Sequence, residues 1–236
     1  MTRHMVVALL VWCSSGWAAD EGMALLQVQG EALLQVVADQ ASLSLSVDSS
    51  GRDAERVIAD NSQRVAQLIN RLHQAGVTEA ELRTTGFSVM PQWSIRPRDA
   101  EDGWQPSIVG YRVHNQLLLT TGKLTRLPGW IQVAVEAGSN RIGELQFSLA
   151  DPQRHYQDAL KLATENALRQ AATVAAAASV QLGAIYQLQV ESNQPRPLPG
   201  MRIETMALRS AAVPPPVEPG EVEVRAAVSV RYRLDP

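Results

Sequence analysis

Few residues in this 236-residue chain have the types and spacing that chemistry needs. There is one cysteine, Cys13, and beyond the N-terminal segment the histidines are His73, His114 and His155. A metal centre needs converging imidazole, thiolate or carboxylate ligands, and none of these histidines stands at ligand spacing from another. Each reads as a surface or locally hydrogen-bonded side chain, and His155 falls in the first turn of a predicted helix, where an imidazolium opposes the dipole. Carboxylate pairs occur at Glu79 and Glu81, Glu101 and Asp102, and Glu221 and Glu223. The last pair shares the outer face of a predicted strand, a spacing conceivable for acid and base work. Arg225, Arg231 and Arg233 share that face, which favours a solvated or interface ion-pair surface over catalysis. There is no G-x-S-x-G elbow, glycine-rich phosphate loop or dinucleotide fingerprint. The expectation is a non-enzymatic protein without metal or cofactor. Trp93 and Trp104 lie in a polar stretch, Gln92 to Ser107, where indole rings bind sugars or apolar groups, cap a sheet or pack in a subunit contact.

The composition sets the elements that must carry these side chains. At 45% hydrophobic and 19% charged, the chain is globular rather than disordered or multiply membrane-spanning. A formal charge of −3 offers no global basic field for a nucleic-acid backbone. Arg3 and His4 precede an apolar run from Met5 to Trp12 and a small-residue cluster ending Gly16-Trp17-Ala18-Ala19. This reads as a secretory signal peptide over residues 1–18, since the run is half the roughly 20 residues of a spanning helix. Leu10-Val11-Trp12-Cys13 is similar to a lipobox at its leucine, but Trp12 stands where a small residue belongs, so cleavage after Ala18 is preferred to lipidation of Cys13. The mature chain would then have no cysteine, and its stability must come from its core.

Alternation of Ala41, Leu43, Leu45 and Val47 with Ser42, Ser44, Ser46 and Asp48 predicts a half-buried strand within Leu33–Val47. A helix follows from the Ser50/Asp53 start signals to Ala75, with Ile58, Val65, Leu68, Ile69 and Leu72 on one face. Glu81–Ser94 and Ile108–Thr121 form a long hairpin, then a short helix (Leu124–Ala137) and a strand (Ile142–Leu149). Asp151-Pro152 starts a second long helix reaching Val180, with a stripe through Tyr156, Ala159, Leu160, Ala163, Ala167, Ala171, Val174 and Ala178. A strand at Ile185–Val190 precedes a proline-rich excursion, residues 194–219, holding seven of the 13 prolines. The last strand alternates Val222, Val224, Ala226, Val228, Val230, Tyr232 and Leu234 with charged or small residues. The fold class is α+β, a largely antiparallel sheet with two long helices and one short helix.

Several strings in this order carry a resemblance. They are Ala38-Asp39-Gln40-Ala41, Gly76-Val77, Leu82-Arg83-Thr84-Thr85-Gly86-Phe87-Ser88-Val89-Met90-Pro91, Gly110-Tyr111-Arg112-Val113-His114-Asn115, Gly138-Ser139-Asn140-Arg141-Ile142 with Phe147, and Pro219-Gly220-Glu221. The chain resembles the SIMPL domain family of bacterial cell-envelope proteins over residues 19–236. It departs at Ala38, where the family usually has proline, and at Pro128-Gly129 in the short helix. The resemblance implies a periplasmic location, links to oxidative-stress defence and ring-like self-assembly, and transfers no catalytic residue.

Two functions follow as expectations. The first is a non-enzymatic periplasmic factor of envelope interaction or stress protection, working as a homo-oligomer, with loose outer-membrane association and no transmembrane segment after signal removal. Its interaction surface would draw on Trp93, Trp104, Glu221, Glu223, Arg225, Arg231 and Arg233. The alternative is a periplasmic ligand-binding or hydrolytic protein with a loop-built site at Gln92 to Ser107.

Overall fold

The computed structural model describes residues 24–99, 102–191 and 218–235. The segment expected to be a signal peptide and most of the proline-rich excursion lie outside the described residues. In chain order the elements are β1 (Leu25–Val37), β2 (Gln40–Gly51), α1 (Ala54–Gln74), β3 (Leu82–Trp93), β4 (Ile108–Thr121), α2 (Leu127–Glu136), β5 (Arg141–Ser148), α3 (Pro152–Ala178), β6 (Gln181–Glu191) and β7 (Glu221–Asp235). The α+β class and the antiparallel pairing hold, with two long helices and one short.

The strands divide into two sheets rather than one: β1-β7-β6 and β3-β4-β2-β5. Sequence alternation reports one buried face per strand but not which strands pair, so this partition is not readable from pattern alone. The predicted strand across Leu33–Val47 is likewise two strands, because the chain breaks at Ala38-Asp39 to change sheets. That break is fixed by contacts distant in sequence. The Ala38 N–H donates to the Gly220 carbonyl at 3.0 Å, and the Asp39 carboxylate accepts from the Ala150 N–H at 2.7 Å. Two of the strings named above, one near each end of the chain, therefore meet here.

Helix α1 lies on the four-stranded sheet. The Asp53 carboxylate caps it by accepting from the Arg56 N–H at 2.9 Å. Val57, Val65, Leu68 and Leu72 recur at helical spacing and are buried, the last three against Leu43, Leu45, Leu117 and Leu119. Gly76, at φ +96°, ends the helix in a Schellman turn, with Val77 N–H on the Leu72 carbonyl. Pro128 sits in the first turn of α2, where its missing N–H costs nothing.

Helix α3 lies on the three-stranded sheet through Ala159, Ala163, Ala167, Ala171 and Ala175, a strict four-residue stripe. Val174 and Ala178, expected on that stripe, face solvent, and Ala175 takes their place. The small side chains let the helix backbone touch the sheet. A Cβ on Gly30 of β1 would fall 2.0 Å from the Ala163 carbonyl oxygen, so only glycine fits. The helix ends on Ser179 at φ 57°, a left-handed position usually held by glycine. Phe147 of β5 packs against both cores.

Candidate functional site

The polar cluster with the most defined geometry sits where β2 outruns its partner β5. Pairing of β2 with β5 ends at Ser46 opposite Arg141. Beyond it the Asn140 side chain acts as a substitute strand. Its Oδ1 accepts from the Asp48 N–H at 2.8 Å, and its Nδ2 donates to the Asp48 carbonyl at 2.7 Å. Asn61 of α1, fully buried, donates to the neighbouring Val47 carbonyl at 2.9 Å. Ser139 reinforces the corner by donating its hydroxyl to the Ser46 carbonyl at 3.1 Å. The Asp48 main-chain groups that the end of β5 would leave bare are thus satisfied by a side chain.

This clamp fixes the Asp48 carboxylate. One oxygen accepts from His114 Nδ1 at 2.7 Å and the other pairs with the Arg141 guanidinium at 3.1 Å. An ionised carboxylate only accepts, so Nδ1 carries a proton and Nε2 is the nitrogen left for another partner. Asp48 and His114 are half-buried, whereas Arg141 is 63% exposed. Local hydrogen bonding, the role expected of the histidines, is what His114 and His73 both show; His73 Nδ1 lies 2.8 Å from the Val77 carbonyl oxygen. What spacing could not reveal is the Asp48–His114–Arg141 constellation, because β2, β4 and β5 must first pair in register.

Of the carboxylate pair Glu79 and Glu81, Glu79 is exposed and Glu81 forms a capping device. Glu81 accepts from the Thr78 N–H (2.9 Å) and hydroxyl (2.8 Å), the Thr121 hydroxyl (2.7 Å) and the Lys123 ammonium (3.1 Å). Burial acts to raise its pKa, but these bonds, led by the Thr78 backbone, outweigh burial and hold it at about 2. An acid that strong is a structural anchor and a poor proton donor or base near neutrality.

The remaining expected surface residues divide between the two sheets. Trp93 ends β3 and is 54% exposed, while Trp104 is half-buried in the following loop. Glu221, Glu223, Arg225, Arg231 and Arg233 lie on β7, the centre of the other sheet, facing away from α3. Arg225 pairs with Glu223 at 3.0 Å, and Arg231 reaches Gln27 on β1 and Gln187 on β6, tying the three strands together. Arg233 lies over the Tyr186 ring, 5.5 Å from its centre. These charges knit a sheet face and do not join the tryptophans in one site.

Among the described residues no group of histidine, cysteine and carboxylate side chains has the arrangement of a metal site. No described helix is long and apolar enough to cross a membrane.

The model of the SIMPL family, a protein family of unknown function (DUF541), matches residues 26–232. The chain belongs to the SIMPL family. Among curated SIMPL relatives, the 26 kDa periplasmic immunogenic protein of Brucella melitensis is 27% identical over 211 residues, covering 89% of this chain and 84% of that protein. The uncharacterized protein YggE of Escherichia coli K12 is 25% identical over 207 residues, covering 88% and 82%. YggE of Edwardsiella ictaluri is 26% identical over 178 residues, covering 75% and 72%. The SIMPL match takes in both sheets, the 38–39 junction and the Ser139–Arg141 corner.

Proposed function

We propose that this SIMPL protein is a non-enzymatic periplasmic factor of the cell envelope that acts in stress protection as a homo-oligomer. The observation carrying the assembly is an uncovered apolar surface on the β3–β4 hairpin. Helix α1 packs on β2 and β4 and leaves most of the edge strand β3 uncovered beyond Leu82, which joins the core. Phe87 (54% exposed), Met90, Trp93, Ile108 and Val109 lie along that arm, and Ile95 beyond it is 92% exposed. Large apolar side chains exposed together on one hairpin of a globular protein normally mark a contact surface. The periplasmic reading draws on the exported-looking N-terminus and on the printed name of the Brucella relative.

Sedimentation and light scattering of the mature chain test the assembly. A defined oligomer that dissociates on Trp93→Ala with Ile95→Ser is expected. A strict monomer at all concentrations refutes it. Fractionation of cells carrying the full chain tests the compartment, and loss of the N-terminal segment at Ala18 or Ala19 is the expected mark of export.

A further inference from the structure

The face of the four-stranded sheet turned away from α1 and α2 carries a trough that is independent of the hairpin arm. On the central strand β2 its floor is Ser42, Ser44 and Ser46, the shortest side chains able to hydrogen-bond. Longer side chains stand on both neighbours, His114 and Gln116 on β4 and Glu144 and Gln146 on β5. A short row between two tall rows makes a channel, here of about 390 Å³. Gly143 keeps its β5 wall thin, since a Cβ there would lie 2.9 Å from that of Ser44. The Asp48–His114–Arg141 constellation closes one end, held rigid by the Asn140 clamp. Ser42 to Asp48 spans roughly 20 Å at strand rise.

We infer that this trough binds a short neutral oligosaccharide. Both edges of β2 are paired, so an extended peptide finds no free main-chain ladder along the floor. A ligand must be read through hydroxyl, carboxamide, imidazole and guanidinium groups, which complement alcohol and acetamido groups. Arg141 is already paired with Asp48, so among the described residues Glu144 is the one charge in the lining without an opposite partner; it disfavours anions, while the hydroxyl and carboxamide groups that fill the rest of the trough suit a neutral ligand. Leu118 is the apolar element in the lining, and no phenylalanine, tyrosine or tryptophan ring joins it, so binding is of modest strength.

The test titrates the full mature chain with maltotriose and with tri-N-acetylchitotriose, following the Gln116 and Gln146 side-chain amides and the His114 ring by NMR. Saturable shifts at these groups with a Kd of roughly 1 mM for at least one sugar are expected. The Gln116→Ala, Gln146→Ala double variant weakens binding about tenfold, and exposed Gln146→Ala alone, which leaves the fold undisturbed, weakens it about threefold. Trp93→Ala leaves it unchanged. The inference falls if neither sugar gives saturable shifts there, if Gln146→Ala binds as the parent does, if Trp93→Ala abolishes the shifts, or if triglycine saturates the same signals equally well.

Discussion

Glu81→Gln keeps the shape of the side chain and removes its charge. In the folded protein the Glu81 pKa is about 2 against an ordinary 4.5. The folded state therefore favours the ionised form, and that stabilisation is complete above pH 4.5 and disappears as pH falls through 2. At 1.36 kcal/mol per pKa unit the gap corresponds to about 3 kcal/mol at neutral pH. The carboxyl is only 15% exposed, so most of this survives solvent screening; the Lys123 contribution, from an ammonium half in water, is the part salt weakens. The carboxamide of the variant can still accept from Thr78, and the Thr121 hydroxyl can turn to accept from the new amide, so the lost quantity is mainly charge. Urea unfolding of parent and variant from pH 7 to pH 2, at one protein concentration, measures it. The expected difference is about 3 kcal/mol at pH 7, still present at pH 5, and near zero at pH 2. A difference that does not change with pH would mean that geometry rather than ionisation is lost. No difference at pH 7 would refute the reasoning outright.

Other outcomes follow from single contacts. Gly30→Ala drives a methyl into the Ala163 carbonyl and should cost about 3 kcal/mol or more, seen as a lowered thermal midpoint. Ser179→Gly relieves a left-handed backbone and should stabilise by about 1 kcal/mol in the same assay. Asn140→Ala removes both bonds to the Asp48 main chain, with an expected loss of about 2 kcal/mol in urea and altered His114 ring resonances. Asp39→Ala frees the Ala150 N–H and should cost about 2 kcal/mol, with earlier hydrogen exchange at Ala150.

Those parts of the fold governed by local rules are visible in the residues. The Asp53 cap, the Asp151-Pro152 start, the Gly76 and Gly138 stops and the alternation of β7 each need only neighbours a few positions away. The break at Ala38-Asp39 is hidden because apolar residues continue on both sides and its cause, Gly220, stands near the other end of the chain. The buried Asn61 interrupts an apolar face for a reason that only β2 supplies, the Val47 carbonyl and Ser49 hydroxyl to which it donates. The trough is half legible: its serine floor is in the β2 alternation, but its walls come from strands whose register no local pattern states.

The pairing of β1 with β7 joins Leu25 to Arg233, almost the full length of the described chain. Any process that delivers the polypeptide from its N-terminus onward therefore releases β1 long before its partner. Until the final residues emerge, β1 offers an open hydrogen-bonding edge and α3 has no completed sheet to seat its alanines against. The four-stranded sheet, whose strands all lie between Gln40 and Ser148, can close by itself during that interval. Loss of β7 would accordingly strike the centre of the first sheet, and the earliest of its strands to appear is the one that waits longest and is most exposed to wrong partners.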